Sequence, residues 1–178
     1  MPSIFEPEHP FGIANRLIEY GILNRKPLSV AKLQCLLCCA HGWSLSFLDT
    51  PLVGESFLAA GNGPELASVR EELACYAGVP ILHKICEPVV PVGTQKIEVL
   101  VRDFKDNSGA VFAILANVWQ SYGGMSEEWV LRLILKEGSP WHISRSRSRT
   151  TSHPEILESD FREYYNNSRV VYGTSRCI

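Results

Sequence analysis

Four residues on one short stretch carry the groups that could do chemistry together: Cys35, Cys38, Cys39 and His41. Thiolate and imidazole are zinc ligands, and a thiol beside an imidazole is the working unit of nucleophilic catalysis. The spacing argues against both. Structural zinc takes four tetrahedral ligands, usually as two pairs from separate segments. Cys35 and Cys38 can share a helix face, but Cys39 lies about 100° further round. No second Cys/His pair stands at a suitable spacing. A nucleophile paired with His41, His83 or His142 needs an accessible, activated thiol, and no recognisable elbow or oxyanion arrangement accompanies these residues. Cys177 is expected on an exposed tail without a base. The expectation is therefore reduced thiols packed as small hydrophobes, with no metal, no cofactor and no enzymatic centre.

A second concentration is basic. Arg145, Arg147 and Arg149 alternate with serines, with Arg132, Lys136 and His142 close by. Such a cluster can contact phosphate or an acidic protein surface, or it can be a solvated loop. Lys32, Gln34 and His41 are polar groups beside a broad apolar face. They either satisfy helix ends internally or border a groove for a partner segment. The turn Gly61-Asn62-Gly63-Pro64 lacks the helix-borne continuation of a phosphate loop. Trp43, Trp119, Trp129 and Trp141 are all expected in the core.

The elements that must position these groups read as helices. With 178 residues, 46% hydrophobic and 20% charged, the chain belongs with globular proteins, as one compact domain. A formal charge of -2 supplies no overall attraction to nucleic acid or anionic membrane. No apolar run approaches the ~20 residues needed to span a bilayer. Met1 to Pro10 lacks the basic and apolar regions of a signal peptide, and with reduced cysteines this predicts a cytoplasmic protein. Residues 1–9 read as a flexible lead-in, 10–168 as the single domain and 169–178 as a tail.

The spacing predicts a helix from Pro10 to Leu23, with Phe11, Ile13, Ala14, Leu17, Ile18 and Ile22 inward. Ser29 should cap a central helix running to Leu48, apolar nearly all round, with Phe47 on its face. Extended structure is expected over 52–60 and 96–102, with 79–95 irregular. Further helices are expected over Glu65–Ala77, after Asp106-Asn107-Ser108 as a cap, from Ser126 to a point before Gly138 with Trp129 inward, and from Pro154 to about Asn166. Residues 144–152 read as a polar loop, and Ser139-Pro140 as a corner folding Trp141 back over the preceding helix. The fold class is mainly α: about six helices around a central apolar helix at 29–48, with small extended elements.

Several phrases in register resemble the Panacea antitoxin domain, also described as SocA-like or GepA-like. Arg25-Lys26-Pro27-Leu28 matches its basic-proline-leucine turn. The stretch Leu33 to Trp43 matches Leu-Gln-Lys-Leu-Leu-Tyr-x-Ala-Gln/His-Gly-Trp, through Leu33, Gln34, Leu36, Leu37, Ala40, His41, Gly42 and Trp43. Pro51-Leu52 and the group Phe57, Ala59, Gly63 and Pro64 follow. Downstream come Val118, Trp119, Tyr122 and Gly123, then Ser139-Pro140-Trp141. The likeness spans roughly residues 10 to 165. Cys35 and Cys38 stand where the family usually has lysine and tyrosine, and Ile134-Leu135 replace its threonine-histidine pair, so roles of those groups do not carry over.

The resemblance implies a mostly helical, non-enzymatic protein that neutralises a cognate toxin by direct contact, or delivers a partner to a protease. The toxin would be encoded by an adjacent gene, and its identity does not follow from the fold. Lys32, Gln34, His41, Arg145, Arg147 and Arg149 are the candidate partner-binding residues. A nucleic-acid-binding regulator using the Arg145–Arg149 loop is the alternative from another class.

Overall fold

The computed structural model describes residues 6–105, 109–148 and 150–173, with 169–173 as backbone only. Among the described residues are seven α-helices and two small antiparallel sheets, and 53% of the chain is helical, a mainly α domain. The first helix, α1 (Pro10–Leu23), starts with proline at its first position, and the His9 ring accepts from the Phe11 amide at 3.2 Å. Within the stretch read as a lead-in, Glu8 and His9 make hydrogen bonds to the rest of the chain. Glu8 donates its amide to the Leu52 carbonyl at 2.9 Å and its carboxylate accepts from the Lys105 amide at 2.9 Å.

The central helix, α2 (Val30–Leu48), is capped by Ser29, whose hydroxyl accepts from the Lys32 amide at 3.1 Å. Fourteen of its nineteen residues are buried, so it must be covered on every side. Helix α1, and four elements introduced below, do this covering. Leu33, Leu36, Leu37 and Ala40 lose all solvent contact, worth about 2 kcal/mol for each leucine. Phe47 departs from expectation: it is 53% exposed, lying against Trp43 on the outside of the helix. Ile22 of α1 is likewise partly exposed.

After α2 the chain forms a hairpin of β1 (Leu58–Ala60) and β2 (Gly63–Glu65), turning through Gly61-Asn62. The turn that was expected to open a long helix thus ends in a strand. Its helix, α3 (Ala67–Glu72), is six residues long and continues only as a 3₁₀ turn. The reason is tertiary: Pro64 pairs with Ala59, and both backbone groups of Leu66 are held by Gln34. Residues 79–95 are not wholly irregular either, because β3 (Glu87–Val89) pairs with β4 (Glu98–Leu100).

Helix α4 (Ala110–Val118) follows Gly109, whose φ of 75° suits glycine; the expected cap Asp106-Asn107-Ser108 lies outside the described residues. It runs into a π-type turn over Trp119–Gly123, then into α5 (Glu127–Leu135), capped by Ser126. Trp129 of α5 points outward and is 58% exposed, against the expectation of a core position. The stretch read as a polar loop is largely helical: Ser139 caps α6 (Pro140–Arg147), its hydroxyl accepting from the His142 amide at 3.1 Å. The last helix, α7 (Glu158–Gly173), runs into the segment expected to be a tail. Helices α4, α5 and α7, with β2, pack on α2. No helix among the described residues is long and apolar enough to cross a membrane.

Candidate functional site

The chemistry-bearing residues are distributed through this framework chiefly as structural groups. Cys35, Cys38 and Cys39 are free and buried in α2. Burial pushes the Cys39 thiol up to about 12, and holds Cys35 and Cys38 well above the usual thiol range as well. These are neutral thiols packed as apolar groups, and Cys177 lies outside the described residues. Among the described residues no three His, Cys, Asp or Glu side chains converge as a metal site.

Lys32, Gln34 and His41 are all turned inward. The Lys32 ammonium donates to the carbonyls of Gly123 at 2.8 Å and Met125 at 2.6 Å, closing the π-type turn onto α2. Burial, with Lys26 adding repulsion, lowers its pKa. Gln34 forms two bonds with the Leu66 backbone, at 3.1 and 2.9 Å, and fixes the entry to α3. His41 lies between the rings of Phe57 and Phe161, each centroid 5.2 Å away. Burial, followed by the Arg162 charge, lowers its pKa to about 4, so the ring is neutral.

The arginine cluster also serves its own fold. Arg147 pairs with Asp160 of α7 at 2.8 Å. Arg145 donates to the carbonyl of Ser152 and lies 6.0 Å from the centroid of the Trp141 ring. Arg149 lies outside the described residues. The structure therefore brings Arg145 and Arg147 onto the α6–α7 corner and away from a free basic loop.

The motif glycines and tryptophans have local reasons. A Cβ on Gly42 would come 2.2 Å from the Tyr165 ring, and one on Gly123 would come 2.6 Å from the Trp119 ring. Gly63, with φ 140°, carries a backbone that side chains rarely adopt, and Pro64 beside it is buried. Tyr122 is half-buried next to Gly123. Trp119 packs against Tyr20, and the Trp141 indole donates to the Ala60 carbonyl at 2.9 Å, tying α6 to β1.

Two surfaces remain that no motif announced. The first is the β3–β4 ribbon. Its base is clamped by Asn15 of α1, which donates to the carbonyls of Ile85 at 3.1 Å and Arg102 at 2.9 Å and accepts from the Ile85 amide at 2.6 Å. Arg102 also pairs with Glu87. Beyond that base the apolar side chains leave the core: Ile97 is 73% exposed, Val99 is 70% exposed, and Val90, Val92 and Val101 are exposed as well. Alternation at Ile97, Val99 and Val101 was a visible strand signal; that the strand stands clear of the core was not.

The second surface is a cleft of about 370 Å³ where α5, α6 and α7 meet over α2. Its floor is Cys38, Cys39 and Tyr165, all buried. Trp43, Trp141, Tyr122 and Tyr164 wall it, with Trp129 and Met125 at the lip. Lys136 stands over the Tyr164 ring, 5.2 Å from its centroid. Comparison with protein-family models, with curated proteins and with solved structures finds no match to this chain.

Proposed function

We propose that this is a cytoplasmic antitoxin- or immunity-type protein of the Panacea kind, which neutralises a cognate toxin by stoichiometric contact through the β3–β4 ribbon. The observation that carries the reading is the ribbon itself. Apolar side chains in a folded domain are normally covered, and a contiguous set left in water marks a surface meant for a partner. Here Ile97 and Val99 stand in solvent on a two-stranded sheet whose outer edges pair with no other described strand. Open edges and exposed apolar side chains together suit addition of an extended segment from another polypeptide. The resemblance supplies the kind of partner, and the inward use of Lys32 and Gln34, with the pairing of Arg147 to Asp160, moves the contact away from those residues.

The test is co-expression with the product of the adjacent gene. Growth should be rescued, and the two proteins should purify together at fixed stoichiometry. The double substitution Ile97→Lys, Val99→Lys should keep the melting temperature while weakening the complex by about tenfold or more, since each residue would act as a contact anchor. Absence of both rescue and a complex with the native chain refutes the antitoxin reading. Rescue that survives the double substitution unchanged moves the contact elsewhere.

A further inference from the structure

The aromatic cleft over Cys38 and Cys39 lies apart from the clamp at the ribbon base and has a chemistry of its own. We propose that it binds a small planar aromatic anion: one or two fused rings carrying a single acidic group, held flat among the aromatic side chains with the acid toward Lys136.

Size comes first. About 370 Å³ falls in the range of pockets that enclose small ligands and is enough for a two-ring molecule. The lining selects for flatness. Six aromatic residues, Trp43, Tyr122, Trp129, Trp141, Tyr164 and Tyr165, come from five elements and line one space. Rings prefer offset and edge-to-face partners, and Trp43 already meets Tyr165 in that way, at 4.9 Å and 80°. A planar guest can make the same contacts with several walls at once.

Charge then decides between an anion and a cation. Aromatic cages often take quaternary ammonium groups, which need an unopposed negative field. In this cleft the only formally charged lining residue is Lys136, and among the described residues no carboxylate pairs with it. Cys38, Cys39 and Tyr165 are buried and neutral, because burial raises the pKa of each. The first turn of α6, at Ser139 and Pro140, also borders the cleft and adds the positive end of a helix. A cation is opposed from two directions; an anion is favoured from both.

The room itself has a residue-level origin. Cys38 stands where the resembled motif carries tyrosine, and its smaller side chain forms part of the floor. A tyrosine ring placed there would occupy the space proposed for the guest.

Two dyes of nearly equal shape separate the terms: 5-aminonaphthalene-1-sulfonate, which is anionic, and 1-naphthylamine, its neutral counterpart. Both should bind the native protein at one site per chain, and both should quench tryptophan emission, since Trp43, Trp129 and Trp141 line the cleft. Lys136→Met should weaken the sulfonate by about fivefold and leave the neutral dye unchanged, the size of one partly exposed ion pair. Cys38→Tyr should abolish both. Trp129→Ala, on the exposed lip where folding is not at stake, should weaken both. Absence of single-site binding by the sulfonate overturns the proposal, as does binding indifferent to Cys38→Tyr and Trp129→Ala. Equal effects of Lys136→Met on the two dyes overturn the assignment of an anion. None of these readouts depends on a toxin, so the result stands apart from the antitoxin reading.

Discussion

His41 shows how far a single side chain can be redirected by its surroundings. As a sequence symbol it is a candidate ligand or base; in the fold it is a neutral ring between Phe57 and Phe161. Its pKa is lowered from 6.5 to about 4, so between those values the unfolded chain binds a proton that the folded chain refuses. Stability therefore falls as pH drops through that window, by about 2 kcal/mol between pH 7 and pH 5 from this residue alone. Well above pH 6.5 the residue contributes no pH dependence. Chemical denaturation at pH 7 and pH 5 checks this, with His41→Phe as the comparison that removes the proton site and keeps a ring. Parallel loss of stability in both proteins would assign the effect to other groups. The inward roles of Lys32 and Gln34 were only half legible in the chain. Their polarity beside an apolar face was plain, but their partners are backbone groups of Gly123, Met125 and Leu66, and backbone carries no sequence signature.

At the scale of elements, legibility follows local signals. Helices α1, α2 and α5 announce themselves through a proline or serine at the start and apolar residues at helical spacing, and their observed bounds sit close to expectation. Helix α6 does not, because Ser-Arg alternation hides any apolar stripe; its start depends on the Ser139 cap and its position on the Trp141 bond to β1. Strand β3 was hidden by Pro88, and the shortening of α3 by a pairing with β1 that no local pattern records. The outward turn of Trp129 was missed for a similar reason: its spacing with Val130 and Ile134 fits a broad apolar face, but the space beside it is the open cleft. Helices α2 and α7 are in close contact at Gly42, where an added methyl would overlap the Tyr165 ring. Gly42→Ala should cost about 2 kcal/mol and lower the melting temperature by roughly 6 °C, the price of overpacking a rigid contact in a chain of this length. Calorimetry reads this directly, and an unchanged melting temperature would mean that the two helices can separate freely at that point.

For the whole molecule, the helical body and the β3–β4 ribbon are joined at a narrow base. The Asn15 amide supplies three of the hydrogen bonds there, to Ile85 and Arg102. Asn15→Ala should leave buried backbone groups unpaired at a cost of about 1–3 kcal/mol, concentrated at that junction. Limited proteolysis should then cut between residues 86 and 101 sooner than in the native protein, while the helical circular dichroism stays near native. Uniform cleavage throughout the chain would show instead that the body and the ribbon unfold as one.

That junction has a further consequence for how the molecule can vary. One asparagine holds together two backbone positions, Ile85 and Arg102, that are far apart along the chain, so the stretch between them behaves as a loop closed by hydrogen bonds. The entropy needed to close such a loop grows only with the logarithm of its length. Insertions or deletions inside it leave the clamp and the helices behind it undisturbed. It is the natural place to graft a foreign epitope or to exchange one recognition sequence for another.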